Sequence, residues 1–94
     1  MKIHPLSDAF EIGFIYVTKG AFAQLDPEAV QEALRRHARC DWGEVCKEDA
    51  QANDDALKTG ERLVSLYRDS KGVKFWIITE ADRSATTILI PDEY

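Results

Sequence analysis

The sequence has no long hydrophobic run and contains little cysteine. None of its apolar segments approaches the roughly 18 residues that a membrane-spanning helix needs. The N-terminal stretch MKIHPLSDAFEIG has neither a continuous apolar segment nor the small-residue cleavage site of a secretory signal. Two cysteines occur in 94 residues, and an intracellular chain with a usable core has little need of a disulfide. These absences predict a soluble, cytoplasmic protein with reduced cysteines and no membrane contact.

Cofactor and metal motifs are also lacking. No glycine-rich loop of the nucleotide-binding type is present. His37, Cys40 and Cys46 look like a partial metal set, but their spacing fits no zinc pattern and no fourth ligand is evident. The simpler interpretation is that these small residues pack around a helix junction. The sequence therefore predicts neither a cofactor nor a metal.

The chain is acidic, and its charge is unevenly placed. Of the 94 residues, 45% are hydrophobic and 31% charged, and the net charge is −5, which fits one globular domain over residues 1–94. Acidic residues are concentrated in segments 41–61 and 80–94. Such a surface does not attract nucleic acid as a whole. A basic strip in segment 62–79 is more simply a solvated strand face.

Periodicity and turn signals predict an α+β fold. Strands are expected at 10–18, 62–68, 73–79 and 86–90, with a hairpin turn at 69–72. Asp26 and Pro27 predict the start of one helix, which runs to about Arg39, and a second helix is expected from Glu44 to Lys58, before Gly60. The expected architecture is two or three helices packed on a small, mostly antiparallel sheet of three to four strands.

The strand at 73–79 is apolar on both faces. Phe75 and Ile77 alternate with Trp76 and Ile78. The helices can cover one of these faces. We therefore expect the other sheet face to be a contact surface, for a homodimer or for another protein.

The stretch FWIITEADRSATTILIP places a polar insert, residues 80–85, between two strands. In the structural interpretation Asp82 bonds loop amides, while Arg83 reaches a carboxylate such as Asp41 or Asp49. We expect an ordered insert, tied through Asp82 or Arg83 to the helix junction at residues 41–43.

A functional interpretation of the same insert is an RNA-cleaving site. Arg83 could stabilise a phosphate, His37 could act as the base, and Tyr67 or Thr87 could hold the substrate. Since His37 lies on or beside the apolar stripe of its helix, a packed histidine bonded to the backbone is the more common alternative.

Three segments resemble a family of small "plasmid-related" proteins carried by bacterial plasmids, phages and integrative elements. They are RHARCDWG (36–43), EDAQANDDAL (48–57) with Gly60, and FWIITEADRSATTILIPDEY (75–94), and the similarity covers about residues 19–94. Cys40 stands where glycine is expected. Members are often labelled as a type I restriction methylase subunit, but 94 residues cannot hold a methyltransferase with its cofactor fold.

The resemblance implies a non-enzymatic accessory protein that binds a protein partner, such as a host-defence or restriction component. The candidate binding residues fall on the shared motif: Asp41, Trp42, Asp49, Asn53, Glu80, Asp82 and Arg83.

The alternative is a toxin-like ribonuclease. The order of elements is similar to that of the barnase-like and RelE-like ribonucleases, and the site residues would be His37, Tyr67, Arg83 and Thr87. The acidic charge argues against it, because such enzymes need a positive surface for RNA.

Overall fold

A computed structural model describes residues 10–94 of the chain. Helices dominate its first half and strands its second. The elements are β1 (Phe14–Val17), α1 (Lys19–Gln24), α2 (Pro27–Ala38), α3 (Lys47–Thr59), β2 (Leu63–Arg68), β3 (Lys74–Thr79), β4 (Ala85–Leu89) and a 3₁₀ turn (Pro91–Glu93). The predicted α+β class, with helices on a small and mostly antiparallel sheet, is confirmed. Within these residues no helix is long and apolar enough to cross a membrane.

The four strands form one sheet in the order β1-β4-β3-β2. β2, β3 and β4 are antiparallel neighbours, whereas β1 runs parallel to β4. Ser65 pairs with Ile77, and Ile77 pairs with Ile88, so their side chains form a row on one face. This is the helix face, and the opposite face is called the open face below.

The main core lies between α2 and the helix face. Phe75, Ile77 and Ile88 have no exposed surface, and Ala33 of α2 is 3% exposed. Burying each large apolar side chain stabilises the fold by about 1.5–3 kcal/mol. α2 begins as the sequence predicts: the Asp26 carboxylate accepts a hydrogen bond from the Glu28 N–H at 3.1 Å, and Pro27 occupies the first turn.

α3 lies against β2 and the smaller core. Trp42, Ala56 and Leu63 are buried there, and Phe10 packs on them. The helix ends at Gly60, as predicted, in the left-handed conformation (φ +80°) that favours glycine.

The connection between α2 and α3 departs from the sequence prediction. The helix expected from Glu44 begins at Lys47, and Asp41 does not cap it. Residues 42–44 instead form an isolated bridge to β2: the Leu66 N–H donates to the Trp42 carbonyl at 3.2 Å, and the Glu44 N–H donates to the Leu66 carbonyl at 2.7 Å. Pairing with a distant strand thus overrides the local helical pattern.

The strand expected at 10–18 is also shorter, and α1 was not predicted. Thr18 caps α1 by accepting from the Ala21 N–H at 3.3 Å. The Glu93 carboxylate, from the other end of the chain, accepts from the Gly20 N–H at 2.8 Å and from the Thr18 hydroxyl. The start of α1 therefore depends on a contact that no local sequence signal shows.

Candidate functional site

His37 is a buried structural residue at the end of α2. Its side chain has no exposed surface, and both ring nitrogens are hydrogen-bonded. The prediction of a packed histidine is confirmed, but its partners are the hydroxyls of Ser65 and Thr79 rather than the backbone. Burial lowers the pKa of His37 to about 4, so the ring is neutral at pH 7.

The hydrogen bonds around His37 form a chain with one direction. The Ile12 carbonyl can only accept, so the Thr86 hydroxyl donates to it at 2.7 Å. Thr86 therefore accepts from Thr79 at 2.7 Å, and Thr79 accepts from Nε2 of His37 at 2.9 Å. Nδ1 is left to accept from the Ser65 hydroxyl at 2.5 Å. The chain joins α2 to β2, β3 and β4 and fixes the Nε2–H tautomer.

The other residues proposed for RNA cleavage do not meet His37 at a surface. Tyr67 is 2% exposed and donates to the Asp41 carbonyl, and burial raises the pKa of its hydroxyl. Thr87 follows Thr86 in β4, so its side chain lies on the open face, opposite to His37. The four residues expected to cleave RNA therefore lie apart. His37 and Tyr67 are in the core, Thr87 is on the open face, and Arg83 is in the insert.

Arg83 is bound to the end of α3. Its guanidinium donates to the Ala56 carbonyl at 3.1 Å and to the Glu61 carbonyl at 2.7 Å, and it lies 5.8 Å from the Phe10 ring centre. The Ala56 carbonyl, which also accepts from the Gly60 N–H at 2.8 Å, lies in the last turn of α3, where backbone carbonyls carry partial negative charge, and Glu61 follows the helix. The prediction that Asp82 or Arg83 binds residues 41–43 is therefore wrong. Arg83 does hold the insert against a helix, but that helix is α3.

Asp41 has a different partner from the one expected. Its carboxylate forms a double hydrogen bond with the Arg36 guanidinium, at 2.8 and 3.2 Å, and also accepts from the Gly43 N–H at 3.2 Å. The hydrogen bond from Arg36 holds the pKa of Asp41 below its ordinary value. Trp42 is 6% exposed, and its indole N–H donates to Asp54 at 3.0 Å. Both residues hold the junction between α2 and α3.

The remaining insert residues are engaged locally. The Asp82 carboxylate accepts from the Ser84 N–H at 3.0 Å and from the Ser84 hydroxyl at 2.6 Å. Glu80 lies 3.8 Å from the Arg62 guanidinium. The insert is thus an ordered loop in which Asp82 bonds a loop amide, as the structural interpretation expected.

The open face carries a groove at its β2 edge, where α3 overhangs the sheet. The cavity is about 290 Å³ and is lined by Asp49, Ala52, Asn53, Arg62, Val64, Trp76 and Tyr94. The ring centres of Trp76 and Tyr94 are 5.8 Å apart, and Tyr94 is 67% exposed. We call this the aromatic groove. Of the predicted binding residues, Asp49 and Asn53 line it.

The sequence predicted an uncovered apolar face here but not this groove, and the structure differs in part: Ile78 and Leu89 of that face are only 5% and 6% exposed. Trp76 was expected on an uncovered face, whereas Tyr94 is brought beside it by the C-terminal 3₁₀ turn. No local pattern gives the direction of that turn, because it depends on the contact between Glu93 and the start of α1.

No metal site occurs in the part of the chain that the structure describes: no three His, Cys, Asp or Glu side chains are grouped to hold an ion. Cys40 and Cys46 are free thiols, the first half-buried and the second exposed. Both nitrogens of His37 are already engaged with hydroxyls.

Comparison of the chain with protein-family models, with curated proteins and with solved structures gives no match.

Proposed function

We propose that this protein is a non-enzymatic binding module whose protein partner docks in the aromatic groove. The observation that carries the proposal is the pairing of half-buried Trp76 with exposed Tyr94 on the sheet face opposite the helices. Aromatic side chains beside a pocket supply much of the binding energy at protein interfaces. A cavity of about 290 Å³ accommodates one large side chain of a partner.

Charge around the groove defines the chemistry of the partner. Asp49 lines the groove, and so does Ala52. Glu48 precedes Ala52 by four residues and Asp55 follows it by three, so both lie on the same side of α3 as Ala52. All three carboxylates are exposed, and they outnumber the basic side chain of Arg62, which also lines the groove. A partner segment with an apolar side chain flanked by Lys or Arg is complementary to this rim.

The side chains expected to cleave RNA do not form an accessible set, which favours a binding role. His37 and Tyr67 are buried, and Arg83 is held by backbone carbonyls. No contact favours the ribonuclease alternative, which requires His37 and Arg83 to reach one substrate.

The resemblance to the plasmid-related family supplies the biological setting of the proposal. In that setting the protein is an accessory factor of a plasmid, phage or integrative element. Its partner is a host-defence or restriction component that presents a basic, partly apolar segment.

The test compares proteins captured from host lysate by the intact chain and by two groove variants, Tyr94→Ala and Asp49→Lys. Both side chains are exposed, so neither change removes a core contact. We expect a specific basic protein on the intact chain and its loss on both variants. Capture should weaken as salt rises, because the rim charges are screened.

Glu32→Lys is the matched control for charge reversal. Glu32 lies on the exposed surface of α2 and pairs only with Arg35, at 3.1 Å. The control should keep the partner. Capture of the same proteins by the groove variants would refute the proposal, and RNA cleavage that a folded His37→Gln variant lacks would support the ribonuclease instead.

A further inference from the structure

β1 forms one edge of the sheet, and its side chains are exposed. β1 has a strand neighbour on one side only among residues 10–94, namely β4. All four of its side chains are exposed: Phe14 75%, Ile15 51%, Tyr16 56% and Val17 42%. An apolar edge strand of this kind readily pairs with another strand.

The backbone of β1 offers hydrogen bonds at this edge. On the inner side, the Phe14 N–H donates to the carbonyl of Ser84, just before β4, at 2.9 Å, and the Thr18 N–H donates to the Ile88 carbonyl at 3.0 Å. In a parallel ladder alternate residues point to the same neighbour, so Ile15 and Val17 direct their N–H and C=O groups outward. Another strand can bond to these two residues.

Apolar cavities lie beside the same edge. One, of about 370 Å³, is lined in part by Ile15 of β1 and by Leu34 and Ala38 of α2. Another, of about 190 Å³, is lined in part by Val17 and Phe22. A strand added to β1 would therefore bury its own apolar side chains as well as form backbone bonds.

We propose that the partner of this edge is β1 of a second copy of the chain, paired antiparallel about a two-fold axis normal to the sheet. This proposal does not depend on the aromatic groove, which lies at the β2 edge. The two sheets would join into one, with the helices of both copies on the same side. Both aromatic grooves would then face the same direction.

Charge favours self-pairing over a charged partner. β1 has no charged residue, so two chains of net charge −5 can meet there on a neutral surface. Exposed Glu11 precedes β1 and exposed Lys19 follows it. Antiparallel pairing brings each acidic end toward the basic end of the other copy, whereas parallel pairing would bring like charges together.

The exposed apolar area at the β1 edge is compatible with a small dimer interface. Phe14, Tyr16 and Phe22 expose roughly 400 Å² together, taking about 200 Å² for a whole aromatic side chain. Ile15, Val17 and the walls of the cavities add to this. A standard interface buries about 800 Å² per partner, so we expect a reversible dimer rather than an obligate one.

The outward groups also define the register. Pairing Ile15 with Val17 of the other copy lets both residues exchange their hydrogen bonds and sets the two Tyr16 side chains opposite each other on the open face. Pairing Ile15 with Ile15 would require Gly13 to extend the strand, but Gly13 has φ +71°. Pairing Val17 with Val17 would require Lys19, which begins α1, so the axis passes beside Tyr16.

The first test measures oligomeric state against concentration by sedimentation equilibrium. We expect a monomer–dimer equilibrium for the intact chain. Val17→Lys should raise the dissociation constant at least about tenfold, because it forces a charge into an apolar contact. The controls Ala52→Lys and Tyr94→Ala, both at the aromatic groove, should leave it unchanged. A monomer at every concentration, or a dimer that Val17→Lys does not weaken, would overturn the proposal.

The second test is cross-linking through Tyr16→Cys in a Cys46→Ala background. Residues opposite each other in a non-hydrogen-bonded pair have Cα atoms about 4.5 Å apart, within the range for a disulfide. Mild oxidation should give a covalent dimer. Lys74→Cys in the same background, an exposed strand position away from the edge, should not. Equal cross-linking of the two variants would refute the register.

Failure of the dimer and failure of the proposed function are distinguishable. Val17→Lys should keep the groove's partner, and Tyr94→Ala should keep the dimer. If the Val17→Lys variant is a stable monomer and no longer captures the partner, then β1 itself binds another protein. The self-pairing proposal would then be wrong.

Discussion

Asn53 on α3 binds the main chain of Val64 twice. Its amide group donates to the Val64 carbonyl at 2.8 Å, and its carbonyl accepts from the Val64 N–H at 3.1 Å. The side chain thus takes the place of a further strand at the β2 edge. Asn53 is 4% exposed, so these bonds are shielded from water.

Asn53→Ala should lower the free energy of unfolding by about 2–3 kcal/mol, because two backbone groups of Val64 lose their partner. The measurement is urea unfolding followed by circular dichroism. Gln51→Ala on the exposed side of α3 is the control, and its effect should stay within about 0.5 kcal/mol. Equal stability of the two variants would mean that water replaces the Asn53 amide at no cost.

Arg83→Ala should lower the melting temperature whether or not the variant binds a partner. Arg83 joins the insert to the last turn of α3 through the Ala56 carbonyl and to the residues just after that helix through the Glu61 carbonyl. Hydrogen bonds from a charged group of this kind contribute about 1.5–3 kcal/mol. Arg83→Lys should recover part of the loss, because a single ammonium cannot match the guanidinium fork.

The control for Arg83 is Arg35→Ala. Arg35 forms an exposed pair with Glu32 on α2, at 3.1 Å, and such pairs contribute little. If Arg83→Ala unfolds at the same temperature as the intact chain, the insert is not structural, and a binding role for Arg83 becomes the better interpretation.

The elements predicted correctly are those with local signals. Asp26 and Pro27 specify the start of α2, and Gly60 specifies the end of α3, because each acts on the few residues beside it. The turn after β2 is similar, since the Asp69 carboxylate accepts from the N–H groups of Lys71 and Val73, both at 2.9 Å.

The errors occur where contacts between distant residues decide the structure. Residues 42–44 pair with Leu66, and the start of α1 depends on Glu93. Arg83 was expected to find a carboxylate, but Asp41 is already bound by Arg36, five residues away. Residue types thus identified the polar insert, whereas only the fold could select its partner.

His37 should make stability fall in acid. The unfolded histidine has a pKa near 6.5, whereas the buried ring has a pKa of about 4. Between these values the unfolded chain binds the proton and the folded chain does not, so acid favours unfolding. The contribution is complete above about pH 6.5 and is lost as the pH falls toward 4, for a total of about 3 kcal/mol.

Urea unfolding at several pH values between 4 and 7.5 measures this loss. His37→Gln is the control, because it cannot titrate while its amide can still form hydrogen bonds. The His37→Gln variant should be less stable at pH 7 but should show a flatter dependence on pH in this window. Identical slopes for the two proteins would assign the acid sensitivity to other groups.

Cys40→Gly should stabilise the protein by about 0.5–1 kcal/mol, because Cys40 has φ +66°, where residues with a Cβ are strained. It ends α2 in a Schellman motif: the Cys40 N–H donates to the His37 carbonyl at 3.0 Å, and the Asp41 N–H donates to the Arg36 carbonyl at 2.8 Å. Glycine, the residue expected there by resemblance, suits this position. Thermal unfolding compares Cys40→Gly with Cys46→Gly, at the exposed N-cap of α3, where φ is −69° and removing the Cβ relieves no left-handed strain. A lower melting temperature for Cys40→Gly would mean that packing of the thiol outweighs the backbone strain.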